Sequence, residues 1–229
     1  MKKFKFLLLI VLLGLILVTG CKEPTLEDAM EELDEKSATV NCDLKMDITL
    51  TYNGESQTMS QSINMKVEQD GDKTYAIYYA QDVEQHLYSK QVGDYVKSYT
   101  KTDGEWELAT TDSVDQMTDE LLDIDVEETF TNVDGIWVGN TEALTEQLSD
   151  YMEEFASDTL GLSGVNIDET SVSKYDIIMV DGHISKIDIA MKIVMSANGG
   201  IVEINVEMPM EFSKIGETKV TEPEGLPVE

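Results

Sequence analysis

The chain has 229 residues and a formal net charge of −30, from 46 acidic residues against 16 basic ones, all of them lysine. A nucleic-acid backbone would be repelled rather than neutralised by such a surface, and without arginine the usual bidentate clamp for phosphate or carboxylate is missing. Two cysteines give no disulfide framework, and two histidines leave little for acid–base or metal chemistry.

The chain begins with what reads as an export signal. Lys2, Lys3 and Lys5 form a positive start, Phe6–Val18 is apolar except for Gly14, and Val18-Thr19-Gly20-Cys21 closes the segment. The apolar run is short for the ~20 residues that span a bilayer. Small residues ahead of a cysteine resemble the bacterial lipobox, in which the signal is removed and the new N-terminal cysteine acylated. Cleavage after residue 20 leaves 209 residues (229 less 20), with 13 lysines (16 less the three ahead of Phe6) against 46 acids, a net of −33. The expected organisation is a signal peptide (1–20), a lipidated tether (21–24), one folded domain (25–216) and a disordered tail (217–229). The expected location is the extracytoplasmic face of the cell membrane, held by acyl chains on Cys21. Stable attachment needs two or more chains. An anionic bilayer repels the acidic body, so the anchor carries the attachment.

Thr25 is placed to cap a helix whose apolar side is Leu26, Met30 and Leu33, with Asp28 completing a partial capping box. Next, Val40, Cys42, Leu44, Met46, Ile48, Leu50 and Tyr52 alternate with polar residues, the pattern of a strand with one dry and one wet face. Asn53-Gly54 supplies the two positive-φ residues of a type I′ hairpin. That turn sets Ile48 against Met59, Leu44 against Ile63, Cys42 against Met65 and Val40 against Val67, so both apolar sets share a face. After Gln69-Asp70-Gly71-Asp72, tyrosine-rich strands are predicted near 74–80, 83–90 and 94–100, with turns at Val92-Gly93-Asp94 and Thr102-Asp103-Gly104. A last short strand carries Trp106 and Leu108.

Between Thr111 and Gly164 the spacing turns helical. Val114, Met117, Leu121 and Ile124 predict a short helix, while Phe130–Val138 fits no single pattern. Leu144, Leu148, Tyr151, Met152 and Phe155 predict a longer helix, capped by Asn140 or Thr141 and ending before Gly161. Leu162–Asp168 reads as a loop and 172–180 as a strand. Two long alternating strands follow, Ile187–Met195 and Val202–Phe212. An Asn198-Gly199 turn sets Ile193 against Ile204 and Met191 against Val206. Placing Ile177 beside Ile187 requires an odd-length loop at Asp181-Gly182-His183 or a bulge.

The lipobox, the helix from Thr25, the Met-rich hairpins and three short segments together resemble a known family. The segments are Tyr88-Ser89-Lys90, Gly93-Asp94-Tyr95-Val96-Lys97 and Asp103-Gly104-Glu105-Trp106. The resemblance is to LolA/LppX-like surface lipoproteins, notably those of Gram-positive bacteria, and covers most of residues 25–215. It implies an α+β fold in which a strongly curved antiparallel sheet, an incomplete barrel, packs on two or three helices. It also implies an apolar sheet–helix cavity that carries lipids or acylated proteins. It is a likeness of layout and composition, and no binding residue carries over from it. One departure is the anchor, since the lipoprotein chaperones of that fold are soluble and periplasmic.

No nucleophile elbow, HExxH or phosphate-cradling loop is present. Cys42 falls on the dry face, where it reads as a small hydrophobe, and His86 and His183 read as solvated side chains. The acidic clusters Asp112–Asp115 and Asp123–Glu128 lack the ligand spacing of a calcium loop. No enzyme, metal or cofactor is therefore expected. Methionine is the unusual residue: of the eleven after Met1, eight fall on predicted strands in the apolar phase. Met adapts to variable shapes and is over-used at promiscuous apolar sites. The candidate lining of a hydrophobic site is Met46, Ile48, Met59, Ile63, Met65, Met191, Ile193, Met195, Ile204 and Met208. The expected function is binding of a hydrophobic or acylated ligand by a monomer, as carrier or sensor. The alternative is a non-catalytic module whose acidic face meets a cell-envelope partner.

Overall fold

In a computed structural model, residues 25–80, 83–113, 126–158, 165–197 and 199–227 are described. Helix α1 (Leu26–Glu35) is followed by six strands: β1 (Ala38–Tyr52), β2 (Glu55–Asp70), β3 (Lys73–Ala80), β4 (Val83–Val92), β5 (Tyr95–Thr102) and β6 (Glu105–Ser113). Then come the single turn α2 (Val126–Thr129), the hairpin β7 (Phe130–Val133) and β8 (Ile136–Gly139), and helix α3 (Thr141–Asp158). Three long strands close the domain: β9 (Val165–Val180), β10 (His183–Ala197) and β11 (Gly200–Ser213). The strands form one 11-stranded antiparallel sheet in the order β6-β5-β4-β3-β2-β1-β11-β10-β9-β8-β7. Its ends are not paired to each other, so the sheet is open.

The local chemistry accounts for the elements. Thr25 and Asp28 form the expected box at the start of α1: the Asp28 N–H donates to Thr25 Oγ1 at 3.1 Å and the Thr25 N–H to Asp28 Oδ2 at 2.9 Å. Asn53 (φ 53°) and Gly54 (φ 82°) occupy left-handed geometry, as a type I′ turn demands. All four predicted β1–β2 pairs occur, Ile48 with Met59 through Val40 with Val67. The predicted β10–β11 pairs occur as well, although Asn198 itself lies outside the described residues. Asn140 caps α3, its Oδ1 accepting from the N–H groups of Glu142 and Ala143.

The three helices among the described residues lie on one face of the sheet. Leu26, Ala29, Met30 and Leu33 of α1, Val126 of α2, and Leu144 and Leu148 of α3 join one core with Cys42, Leu44, Ile177, Ile187, Met208 and Met210. The opposite face of the five long strands is polar and laced with ion pairs such as Lys174–Asp188 at 3.1 Å.

The β9–β10 pair departs from regularity in three places. Ser185 on β10 and both Ser173 and Asp168 on β9 are extra residues in the register. Each is stitched in place. Ser185 Oγ donates to the Ile178 carbonyl at 3.0 Å, Ser173 Oγ to the Ala190 carbonyl at 3.2 Å, and Ser196 Oγ to Asp168 at 3.0 Å. Bulges bend a strand and raise its twist, so this pair carries the means to curl the sheet round its helices. The bulge at Ser185, behind a two-residue Asp181-Gly182 turn, is what puts Ile177 opposite Ile187.

Several expectations are corrected. Leu162–Asp168 is not all loop, because β9 begins at Val165. Its apolar positions change phase at Asp168 and Ser173, which hides the alternation. Phe130–Val138 resolves into the β7–β8 hairpin. The tail is ordered from Glu217 to Pro227 rather than disordered, because it has something to cover. Tyr88, Tyr99 and Trp106, on the face opposite the helices, form a second cluster with Val220, and Leu226 packs against it. The tail is also tied by polar bonds: Thr218 Oγ1 to Thr39 Oγ1 at 2.9 Å, the Val220 N–H to Asp70 at 3.2 Å, and Lys90 to Glu222 at 2.9 Å. The predicted helix at 114–124, the signal, Cys21 and Gly161–Gly164 lie outside the described residues.

Two outcomes follow. Leu44, fully buried, should cost about 3 kcal/mol on truncation to alanine, and Leu50, 49% exposed, under about 1 kcal/mol; urea denaturation of both variants reads the difference, and equal costs would contradict the packing. In a Trp137→Phe background, ending the chain at residue 216 should shift Trp106 emission to the red, whereas unchanged emission would mean that the tail does not cover the cluster.

Candidate functional site

Length fixes where the dry face can be covered. Strands of 14–16 residues run about 50 Å at ~3.3 Å per residue. Helices of 10 and 18 residues span about 15 and 27 Å. Helix α1 packs against β10, and its Glu32 bonds to His183 at the β9–β10 turn. Helix α3 packs on β9. It is seated by a close approach at Gly139, where an added Cβ would lie 2.7 Å from Leu144 and 3.0 Å from the Tyr175 carbonyl oxygen. At the next residue of α3, the Val172 N–H donates to Thr145 Oγ1 at 2.8 Å. Rising numbers on α3 therefore meet falling numbers on β9.

The end of β1, β2 and β11 nearest the Asn53-Gly54 turn is left less covered. Along β1 the apolar phase runs from fully buried Leu44, through half-buried Met46 and Ile48, to Leu50 and Tyr52 at 49% and 55% exposed. Along β2 it runs from buried Met65, through half-buried Ile63, to Met59 at 50% exposed. Val202 and Ile204 on β11 are half-buried beside them, paired with Leu50 and Ile48. On β1 the apolar phase thus passes from sealed core to open trough without a change of residue type, while on β2 Gln61, opposite Met46, stands between Ile63 and Met59.

The ten sequence-predicted lining residues divide across that gradient. Met65, Met191, Ile193 and Met208 are buried in the core. Met46, Ile63, Met195 and Ile204 are partly buried and pack against it. Ile48 and Met59 lie in the open part, and Leu50, Tyr52 and Val202 join them, which the sequence reading did not select. Their phase was legible; their exposure was not, because it depends on where the helices stop.

Reactive chemistry is weak. Burial, followed by the neighbouring Asp43 charge, pushes the Cys42 thiol up to about 12, so it stays protonated. His86 is not simply solvated: Tyr75 Oη lies 2.7 Å from its Nδ1 and Glu84 Oε1 2.7 Å from its Nε2. The ring thus bridges Tyr75 and Glu84. Burial raises the Tyr75 pKa, followed by the charges of Glu84 and Glu68, which keeps it a phenol. Among the described residues, no three His, Cys, Asp or Glu side chains converge on a metal position. Both acidic clusters fall partly outside those residues. A polar depression of about 320 Å³ lies on the wet face, lined by Lys45, Asp47, Ser60, Ser62, Asn205 and Glu207 among others.

Glu32 fastens α1 to the sheet. Burial works to raise its pKa, but hydrogen bonds from Lys36 and His183 outweigh it and hold the carboxyl below its ordinary 4.5. A depressed carboxyl contributes stability above its unfolded value and loses it as the pH falls through the folded one. Glu32→Gln should therefore destabilise at pH 6, by about 1 kcal/mol or less given the exposed Lys36 and His183 partners, and by less at pH 3.5. Stability curves that stay parallel across that range would contradict the assignment.

The sequence matches no protein-family model and no curated protein. Among solved structures, it is similar to the attachment invasion locus protein Ail of Yersinia pestis, solved with sucrose octasulfate, at 6% identity over 78% of this chain and 99% of that one, with a TM-score of 0.25. A DUF1329 family protein from Desulfovibrio piger is similar at 10% identity, over 82% of this chain and 88% of that one, with a TM-score of 0.25. A Vibrio parahaemolyticus domain, assigned as outer membrane lipoprotein-sorting, is similar at 10% identity, over 81% and 87%, with a TM-score of 0.25. Likeness at this level assigns neither family nor ligand.

Proposed function

We propose that this protein is an extracytoplasmic lipoprotein, anchored to the cell membrane through Cys21, that binds a hydrophobic or acylated ligand along the open part of its apolar sheet face. The observation that carries this reading is the exposure gradient on β1, where one uninterrupted apolar phase ends in half-exposed Leu50 and Tyr52, with half-exposed Met59 of β2 beside Ile48. Apolar patches of this kind mark ligand or partner sites. Each methylene of an acyl chain buried there would contribute about 0.8 kcal/mol, and the flexible Met46, Met59 and Met195 can re-pack round chains of different shape. The role is non-catalytic and performed by a monomer, as carrier or sensor. Among the described residues no helix is long and apolar enough to cross a membrane, and the proposed anchor at Cys21 supplies the attachment.

The test is titration of the Cys21→Ser protein, made without its signal, with fluorescent long-chain acyl probes carrying different head groups. The wild-type face should take up at least one of them. Ile48→Asp, on the dry face, should weaken uptake at least tenfold, while Asn205→Asp on the wet face should leave it unchanged. If no acyl probe is taken up, the reading fails. The alternative, a module that meets an envelope partner through its acidic wet face, is favoured by the polar depression there; it expects Asn205→Asp, not Ile48→Asp, to alter binding to isolated cell envelopes.

A further inference from the structure

The five long strands run on past their neighbours at one end of the sheet. β3 pairs with β2 only from Ile63 to Asp70, and β8 meets β9 only at Asp176–Ile178. Beyond those limits β2, β1, β11, β10 and β9 continue together, paired row by row as far as the Asn53-Gly54 turn. The last three rows span Leu50–Tyr52 on β1 and Val165–Ile167 on β9. They hold fifteen residues (three rows of five) and a single charged side chain, Glu55, in a chain that is 27% charged. Charge returns behind them with the bulged Asp168 and with Glu169 and Glu203, which flank Lys192 at 3.5 and 3.7 Å.

This projecting end is also apolar on both faces. Leu50 and Tyr52, at 49% and 55% exposed, continue the dry face, while Ile201 at 47%, paired with Thr51, stands on the other. A guest lying in the trough accounts for the first two and leaves Ile201 in water. A medium that takes in the whole end accounts for all three. Tyrosine, with an apolar ring and a polar tip, suits the boundary between membrane and water.

The proposed anchor says which medium lies within reach. A tether of four residues (21–24) extends ~14 Å at most, so the folded body rests close to the bilayer. Most of that body is strongly acidic, with a net charge of −33 after the signal, and anionic head groups repel it. The projecting end is the part that meets head groups without that repulsion. Glu32 holds the later half of α1 to the β9–β10 turn, at the opposite end of the sheet, so the tether at the start of α1 does not commit the body to that end.

We propose that the projecting end, with Leu50 and Tyr52 on one face and Ile201 on the other, docks into the head-group region of the bilayer that holds the protein, through neutral and apolar contacts rather than charge. This rests on the lipoprotein reading above. The same end opens the trough, so an acyl chain enters it from the membrane.

The experiment holds the mature chain on phosphatidylcholine vesicles through a nickel-chelating lipid and an N-terminal histidine tag that replaces Cys21. A polarity-sensitive thiol dye is attached at Ser56→Cys in the projecting end, or at Asp72→Cys in the β2–β3 turn at the other end. Cys42 is buried and stays protonated, so it is spared. Emission from residue 56 should shift to the blue on the vesicles, and emission from residue 72 should not. Ile201→Asp should abolish the shift yet leave acyl-probe uptake intact, because Ile201 faces away from the trough; Ile201→Ser should reduce it if the aspartate variant does not fold. On vesicles containing phosphatidylglycerol the shift should shrink at low salt and recover as salt screens the acidic body. No shift at residue 56, an equal shift at residue 72, or a shift indifferent to both Ile201 variants would overturn the docking and leave the acyl-binding reading standing. A shift seen on isolated envelopes but not on pure lipid would assign the end to a protein partner and overturn it equally. Failure of every acyl probe with the shift intact would remove the ligand and keep the docking.

Discussion

The structure depends on a mismatch of lengths. Five strands of 14–16 residues present one apolar face about 50 Å long, and the two principal helices laid against it span about 15 and 27 Å. Where helix and sheet meet, Leu44, Met208, Met210, Ile177 and Ile187 are sealed from water. Where they do not, the same alternation continues on β1 into Leu50 and Tyr52 at about half exposure, with half-exposed Met59 of β2 beside Ile48. At ~25 cal/mol per Å² of apolar area removed from water, that uncovered stretch is free energy the fold alone has not gained. A guest with an acyl chain can gain it.

The two faces answer to different partners. On the helix side, the β9–β10 pair carries bulges at Ser185, Ser173 and Asp168, each held by a side-chain hydrogen bond. On the other side, the long strands carry a polar ladder, and only the β3–β6 wing is apolar there. Its Tyr88, Tyr99 and Trp106 are closed over by Val220 and Leu226 of the tail. The chain thus caps one exposed aromatic group with its own terminus while leaving the trough beside α3 less covered. That contrast is the reason to treat the trough, rather than the aromatic wing, as the site.

Most of the architecture could be read from residues. Asn53-Gly54 and strict period two dictated the β1–β2 register to the residue, and Thr25 with Asp28 dictated the start of α1. What escaped was whatever a neighbour decides. The first half of β9 was hidden because its extra residues reset the alternation, so Val165, Ile167 and Thr170 fit no single phase. The tail read as disordered because two prolines and several acids carry no local order; its order comes from Tyr88, Trp106, Thr39 and Asp70, far away in sequence. The dry face itself was legible, but the division between its packed and open parts was not. Met208 and Met59 look alike in sequence and differ only in what lies over them.

Methionine methyls spaced along the face offer the most direct measurement. In protein labelled at the methionine methyl carbons, a soluble paramagnetic agent should broaden Met59 strongly, Met46 and Met195 moderately, and Met208 and Met210 scarcely at all. Adding an acyl ligand should then protect Met59, Met46 and Met195 together. A Met59 methyl as shielded as that of Met208 before any ligand is added would mean that the face is fully covered by the chain itself, and the open trough on which the functional reading rests would not exist.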